Sequence, residues 1–199
     1  MTTLRDLLSS DGPDIEAIGQ YLDGLDNPSR IRETRTLGRS HQRRLYDAAS
    51  GHKPIDLDFL VPPDKPPMQE VYHWGKNTLG LFSHFAKVMC RPDDASIADS
   101  QLWGYNSSGG VVNTFVGPGY FVAHPFDVDG EVLVDYLMIP PRKPEGWPEI
   151  LPNEARLSRF VYSGTQDILR GVSKHVTIGR ATKDGKNMDA WFVLCREDG

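Results

Sequence analysis

The sequence predicts an α+β protein in which N-terminal helices pack on a mostly antiparallel β-barrel or strongly curved sheet. Three observations carry that reading: helical apolar spacing in the first half, short β-branched and aromatic runs after Gln101, and hairpin-turn residues between those runs.

Leu4, Leu7 and Leu8 give a short amphipathic start. Asp14 is placed to cap a second helix that carries Ile15, Ile18 and Leu22 and ends at Gly24. Asn27-Pro28 opens a third, with an amide at the N-cap and proline at the first helical position, predicted to run to Ala49 with Gly51 as its stop. Residues 52–67 are rich in proline (Pro54, Pro62, Pro63, Pro66, Pro67), which removes backbone donors and predicts an extended connection. Ile55, Leu57, Phe59 and Leu60 within it predict packing against the body. Residues 77–89 return to helical spacing, with Leu81, Phe82, Phe85, Val88 and Met89 on one side and Arg91-Pro92-Asp93-Asp94 closing the run.

Beyond Gln101 the expected strands are 102–106, 111–116, 119–126, 131–139, 159–163, 172–181 and 188–196. Ser108-Gly109-Gly110, Gly117-Pro118-Gly119, Asp129-Gly130 and Asp184-Gly185 supply turns, and a proline-rich excursion occupies 140–152. Sequential hairpins form a meander, and a long meander tends to close because closure removes exposed edges. The expected organisation is one domain over 1–199: a mainly helical portion with its proline-rich connection over 1–100, and a barrel-like portion over 101–199.

The chain has 199 residues, and its apolar residues plus glycine come close to half, the ordinary globular value. No apolar run approaches the roughly 18 residues of a membrane-spanning helix. The segment Met1–Leu8 lacks a cationic stretch followed by an apolar one, which predicts no secretory leader and a cytoplasmic location. Cys90 and Cys195 are expected to be reduced core thiols. A net charge of −5 argues against general nucleic-acid binding. Against that acidity, Arg30, Arg32, Arg35, Arg39, Arg43 and Arg44 crowd one stretch in which Glu33 is the only acid. Arg32, Arg35, Arg39 and Arg43, at spacings of three and four, form a stripe suited to an acidic or anionic partner.

No phosphate loop, zinc-protease helix, nucleophile elbow or dinucleotide fingerprint is present, so no cofactor or metal is implied by motif. The candidate site therefore rests on strand parity. Tyr120, Val122 and His124 share one face of their strand; Tyr136 is expected inside and Asp135 outside. With Tyr105, Phe115 and Trp191 they form the expected wall of a barrel cavity. If the cavity is catalytic, His124 is the candidate acid or base and Tyr136 or Tyr105 the group that polarises a carbonyl. His175 stands without a partner at metal-ligand spacing, and His73-Trp74 precede the predicted Phe-rich helix.

Gly146-Trp147-Pro148, the run 159–164, the segment 167–172 and the closing 189–197, an apolar strand that finishes in an Arg-acid pair, together resemble lipocalin-like (calycin-type) barrel domains of uncharacterised bacterial proteins. The resemblance covers 101–199 and implies a cup for a small apolar molecule. The leading expectation is thus binding of a small hydrophobic or aromatic ligand in a barrel cavity. The alternatives are an isomerase, cyclase or lyase using the same cavity for proton transfer, and an interaction module acting through the Arg-rich helix.

Overall fold

Among the described residues, eight strands joined in sequence order close on themselves. The computed structural model describes residues 2–10, 12–79, 83–107, 118–128, 130–151 and 164–198. In it β1 (Val71–Asn77), β2 (His84–Cys90), β3 (Leu102–Ser107), β4 (Tyr120–Pro125), β5 (Val132–Asp135), β6 (Thr165–Gly171), β7 (Val176–Lys183) and β8 (Lys186–Arg196) form a closed barrel. Every pairing is antiparallel between chain neighbours, and β8 returns to β1 with Trp74 opposite Cys195. Closure leaves no edge among these eight described strands.

Four helices cover one outer face: α1 (Leu4–Ser9), α2 (Ile15–Asp23), α3 (Asn27–Arg35) and α4 (Arg39–Ala48). Leu4, Leu8, Ile18, Leu22, Leu37 and Leu45 pack on Val176, Ile178, Trp191 and Val193 of β7 and β8. Asp14 caps α2 as expected, accepting from the Ala17 amide. The expected single helix over 27–49 is instead two. Asp26, not Asn27, caps the first, accepting from the Ser29 amide at 2.8 Å. Gly38 in extended conformation starts the second, and the break lets Leu37 bury completely. No described helix is long and apolar enough to cross a membrane.

The barrel begins well before residue 101. The expected helix over 77–89 is replaced by the end of β1 and most of β2, with residues 80–82 between them outside the described residues. Its error has a definite cause: β2 is apolar on both faces, Phe85 and Met89 inward and Ala86, Val88 and Cys90 outward, so no alternation betrays the strand. β5 stops at Asp135 rather than 139, and Thr165–Gly171 is a strand that sequence patterning left unassigned. The runs expected over 111–116 and 159–163, and the side chains of Leu81 and Phe82, lie outside the described residues.

The interior divides along the barrel axis. Its lower half is filled by Val71, Met89, Leu102, Ala123, Val132, Val134, Leu169 and Leu194. The proline-rich connection closes this end. It packs as expected, but around a short helix, α5 (Leu57–Leu60), that inserts Leu57 and Leu60. The last carbonyls of that plug are held by side chains: Arg196 donates to Phe59 at 2.8 Å, His73 Nε2 to Leu60 at 3.0 Å and Arg91 to Val61 at 3.0 Å. These are the orphan acceptors of a helix C-terminus, satisfied without water.

Higher in the barrel three phenylalanines each stand directly across from a glycine on the neighbouring strand: Phe85 opposite Gly75, Phe121 opposite Gly104, Phe192 opposite Gly179. A methyl group on Gly104 would stand 2.4 Å from the Phe121 ring, and one on Gly179 2.2 Å from that of Phe192. The glycines exist to let the rings lie against the wall, which leaves room along the axis of a narrow barrel.

His73 gives the floor a pH signature. Full burial and the nearby Arg196 charge push its imidazole down from 6.5 to about 3. The unfolded chain therefore takes up this proton first, and stability is unaffected above about 6.5 but falls as pH drops from there toward 3. The slope contributed is at most about 1.4 kcal/mol per pH unit. Urea unfolding of the wild type and His73→Gln, compared between about pH 6.5 and 4.5, should show a shallower pH dependence in the variant by up to one proton.

Candidate functional site

Lys87 faces inward between Phe85 and Met89, the one cation on an otherwise apolar run of β2, and is 1% exposed. Three strands converge on it. Its Nζ donates to Asp167 Oδ2 of β6 at 3.1 Å, to Asn106 Oδ1 of β3 at 3.2 Å, and to the hydroxyl of Tyr136, just past β5. Asn106 Nδ2 in turn donates to the Tyr136 oxygen at 2.9 Å and to the Gly119 carbonyl at 3.3 Å. An ammonium has three N–H donors, and each has an acceptor here.

The same nitrogen lies 4.8 Å from the ring centre of Phe121, 4.9 Å from those of Tyr136 and Phe192, and 5.9 Å from that of Phe85. These are cation–π distances, a contact worth about 0.5–1 kcal/mol at exposed sites and about 2 kcal/mol or more where water is excluded. The three glycine-backed phenylalanines are therefore part of the lysine's surroundings. Burial lowers the Lys87 ammonium pKa, and the Asp167 carboxylate opposes that shift.

Above the cluster is a cavity of about 260 Å³. Phe85, Met188, Ala181, Ala190, Phe192 and Leu79 supply apolar walls, and Lys87, Asn106, Tyr136, Thr165 and Asp167 line its base. Leu79 is 45% exposed, and Leu137 and Met138, which follow Tyr136 beyond the same end of β5, are 63% and 40% exposed. Apolar walls thus rest on a polar base whose formal charges, one ammonium and one carboxylate, cancel.

Of the residues expected to line the cavity, Tyr136 does face inward. Tyr105, Tyr120 and Val122 face outward, which corrects the parity assigned to them. β3 and β4 are apolar on both faces, and the outer face is covered by the 140–151 segment: Trp147 lies 4.8 Å from Tyr105, and Pro148 accepts from the Tyr120 hydroxyl. His124 is outside too, its Nε2 3.9 Å from Asp135 and its side chain 31% exposed, so it cannot reach the barrel interior. Trp191 borders the cavity, but its ring belongs to the outer core beneath the helices. Phe115 lies outside the described residues.

The arginine stripe is divided between α3 and α4. Arg35 lies over the Trp74 ring, Arg39 pairs with Asp189 and donates to the Thr78 carbonyl, Arg32 reaches Ser29, and Arg43 is exposed. Arg30 and Arg44 bind carbonyls at the ends of α2 and α1. Most of this basic stretch is thereby engaged in docking the helices. Trp74 donates to Glu197 on the outside of the barrel, and His175 Nδ1 stands 3.2 Å from Asp198. Cys90 and Cys195 are free thiols in separate buried clusters, both pushed up by burial to about 12. Among the described residues no group of three or more His, Cys, Asp or Glu is arranged to hold a metal ion. Comparisons with protein families, with curated proteins and with solved structures return no match for this chain.

Lys87, Asp167 and Asn106 are absent from the sequence-based candidates. The signal was present: once 84–90 is a strand, Lys87 shares a face with Phe85 and Met89, where a charge needs a partner. On a helix the same lysine falls among solvated positions.

The pair can be weighed by removal. Lys87→Met leaves Asp167 buried without its partner and should cost about 3–5 kcal/mol, whereas Lys87→Met combined with Asp167→Leu should recover a substantial part of that loss. Urea denaturation of the two single variants and the double variant measures the coupling. Additive losses would show that the charges do not depend on each other.

Proposed function

We propose that the protein binds a small, mostly apolar and uncharged molecule in the upper barrel, its body against Phe85, Phe192 and Met188 and one polar atom at the Lys87–Tyr136–Asn106 cluster. The observation that carries this is the cavity of about 260 Å³ ending on buried polar groups. An eight-stranded barrel is wide enough either to be filled by its own side chains or to hold one small ligand. Here the described residues fill the lower half and leave a cavity in the upper half. Because the base is charge-balanced, a ligand carboxylate or amine would add an uncompensated charge, whereas a carbonyl or hydroxyl would not. The resemblance to lipocalin-like barrels supports the same reading, since an up-and-down closed barrel is the architecture of those domains.

A second reading is favoured by one feature. The ammonium, phenol and carboxylate in contact at the base are acid–base groups, suited to proton transfer on a bound carbonyl compound in an isomerase, cyclase or lyase. In that reading Lys87, Tyr136 and Asp167 take the role expected of His124. The engaged arginines of α3 and α4 give no comparable support to an interaction module.

Calorimetric titration with a panel of uncharged aromatic alcohols and ketones tests the binding proposal. Ala190→Phe, which fills the cavity from a half-buried position, should weaken binding by about tenfold or more, equivalent to about 1.4 kcal/mol, while His124→Ala should leave it unchanged. No binding across the panel, or indifference to Ala190→Phe, would contradict the proposal.

A further inference from the structure

We infer that Lys87 is a covalent ligand-binding residue, condensing with the carbonyl of an apolar aldehyde or ketone to form a protonated imine inside the barrel. This rests on the cavity being a small-molecule site and names the class of molecule it takes.

Four features of the geometry carry the inference. The amine stands at the base of an apolar cavity, so a carbonyl carbon carried by an apolar body is delivered to it. Two proton-exchanging groups already touch Nζ, the Asp167 carboxylate at 3.1 Å and the Tyr136 hydroxyl. The surroundings suit the product: a protonated imine keeps one N–H and one positive charge, which Asp167 would continue to accept and balance. The rings of Phe121, Tyr136 and Phe192, all within 4.9 Å, favour a cation whether ammonium or iminium. The residue type also fits. A buried cation serving structure alone is well met by the arginine fork, whereas lysine is the side chain that becomes a nucleophile when desolvated.

The chemistry balances within the site. The Lys87 ammonium passes a proton to Asp167, and the freed lone pair forms a C–N bond to the carbonyl carbon while the C=O π electrons move to oxygen. Tyr136 relays a proton from nitrogen to that oxygen, giving the carbinolamine. Asp167 then returns its proton to the hydroxyl, the C–O bond breaks, and water leaves. The sum is ammonium plus carbonyl giving protonated imine plus water, with charge conserved and no oxidant or reductant consumed.

The test uses cinnamaldehyde as the reactive probe and cinnamyl alcohol as its unreactive counterpart, with the full chain at substoichiometric aldehyde. Sodium cyanoborohydride fixes any imine as a secondary amine, and peptide mass mapping locates it by a mass gain equal to the aldehyde less one oxygen. The expected result is labelling of Lys87 about tenfold or more above any surface lysine, because the cavity raises the local carbonyl concentration. Excess cinnamyl alcohol should suppress it. Asp167→Asn should slow labelling, whereas His124→Ala, outside the barrel, should leave both labelling and alcohol binding, measured by calorimetry, in place. Lys87→Met combined with Asp167→Leu, which removes both charges together, should lose the label and keep the fold by circular dichroism. If cinnamyl alcohol binds but label is confined to surface lysines, the covalent role is overturned and the binding site stands. If neither compound binds and Lys87 stays unlabelled, both fall together.

Discussion

A lysine and an aspartate from opposite walls of a barrel meet inside it, and the upper half of the molecule is organised by that contact. Removing both ions from water costs several kcal/mol each before any gain. The structure offsets this with the direct ion pair, with two further acceptors on the ammonium and with four aromatic rings around it. The members come from six strands or strand ends: Lys87 and Phe85 from β2, Asn106 from β3, Phe121 from β4, Tyr136 after β5, Asp167 from β6, Phe192 from β8. Only a closed barrel with its strands in this register brings them together, so the cluster and the topology specify each other.

The glycine–phenylalanine pairs show how the cluster and a cavity share so narrow a space. Gly104 and Gly179 give up their side-chain volume to Phe121 and Phe192, whose rings lie back against the wall. The rings become a lining rather than a filling. Below them the barrel is filled and stoppered by α5, whose terminal carbonyls are bound by Arg196, His73 and Arg91. Above them the described residues leave a cavity of about 260 Å³. A stoppered floor, a base whose charges cancel and apolar walls that include Leu79 define it.

The helical N-terminus and the barrel were legible in the sequence because caps and turns announce themselves locally. Asp14 and Gly24 bracket α2, and Asp184-Gly185 joins the last two strands. The face each strand turns inward was much less legible. Tyr120, Phe121, Val122 and Ala123 are all buried, so parity alone does not decide which pair sees the interior; the Trp147 segment, distant in sequence, decides it. The same double burial made β2 pass for a helix and hid Lys87 with it. Tyr136 was found because its polar neighbour Asp135 fixed the outward face, here through the bond from Gln166.

The central claim is that Lys87 is a buried ammonium held by Asp167, Tyr136 and Asn106 within an aromatic cage. Heteronuclear NMR of protein labelled with ¹⁵N at lysine side chains addresses it directly. One lysine Nζ signal should be protected from exchange with water, show cross-peaks to the Phe121 and Tyr136 ring protons, and disappear on substitution of Lys87. Lysine side chains that all exchange rapidly with solvent, with no ring contacts, would contradict it.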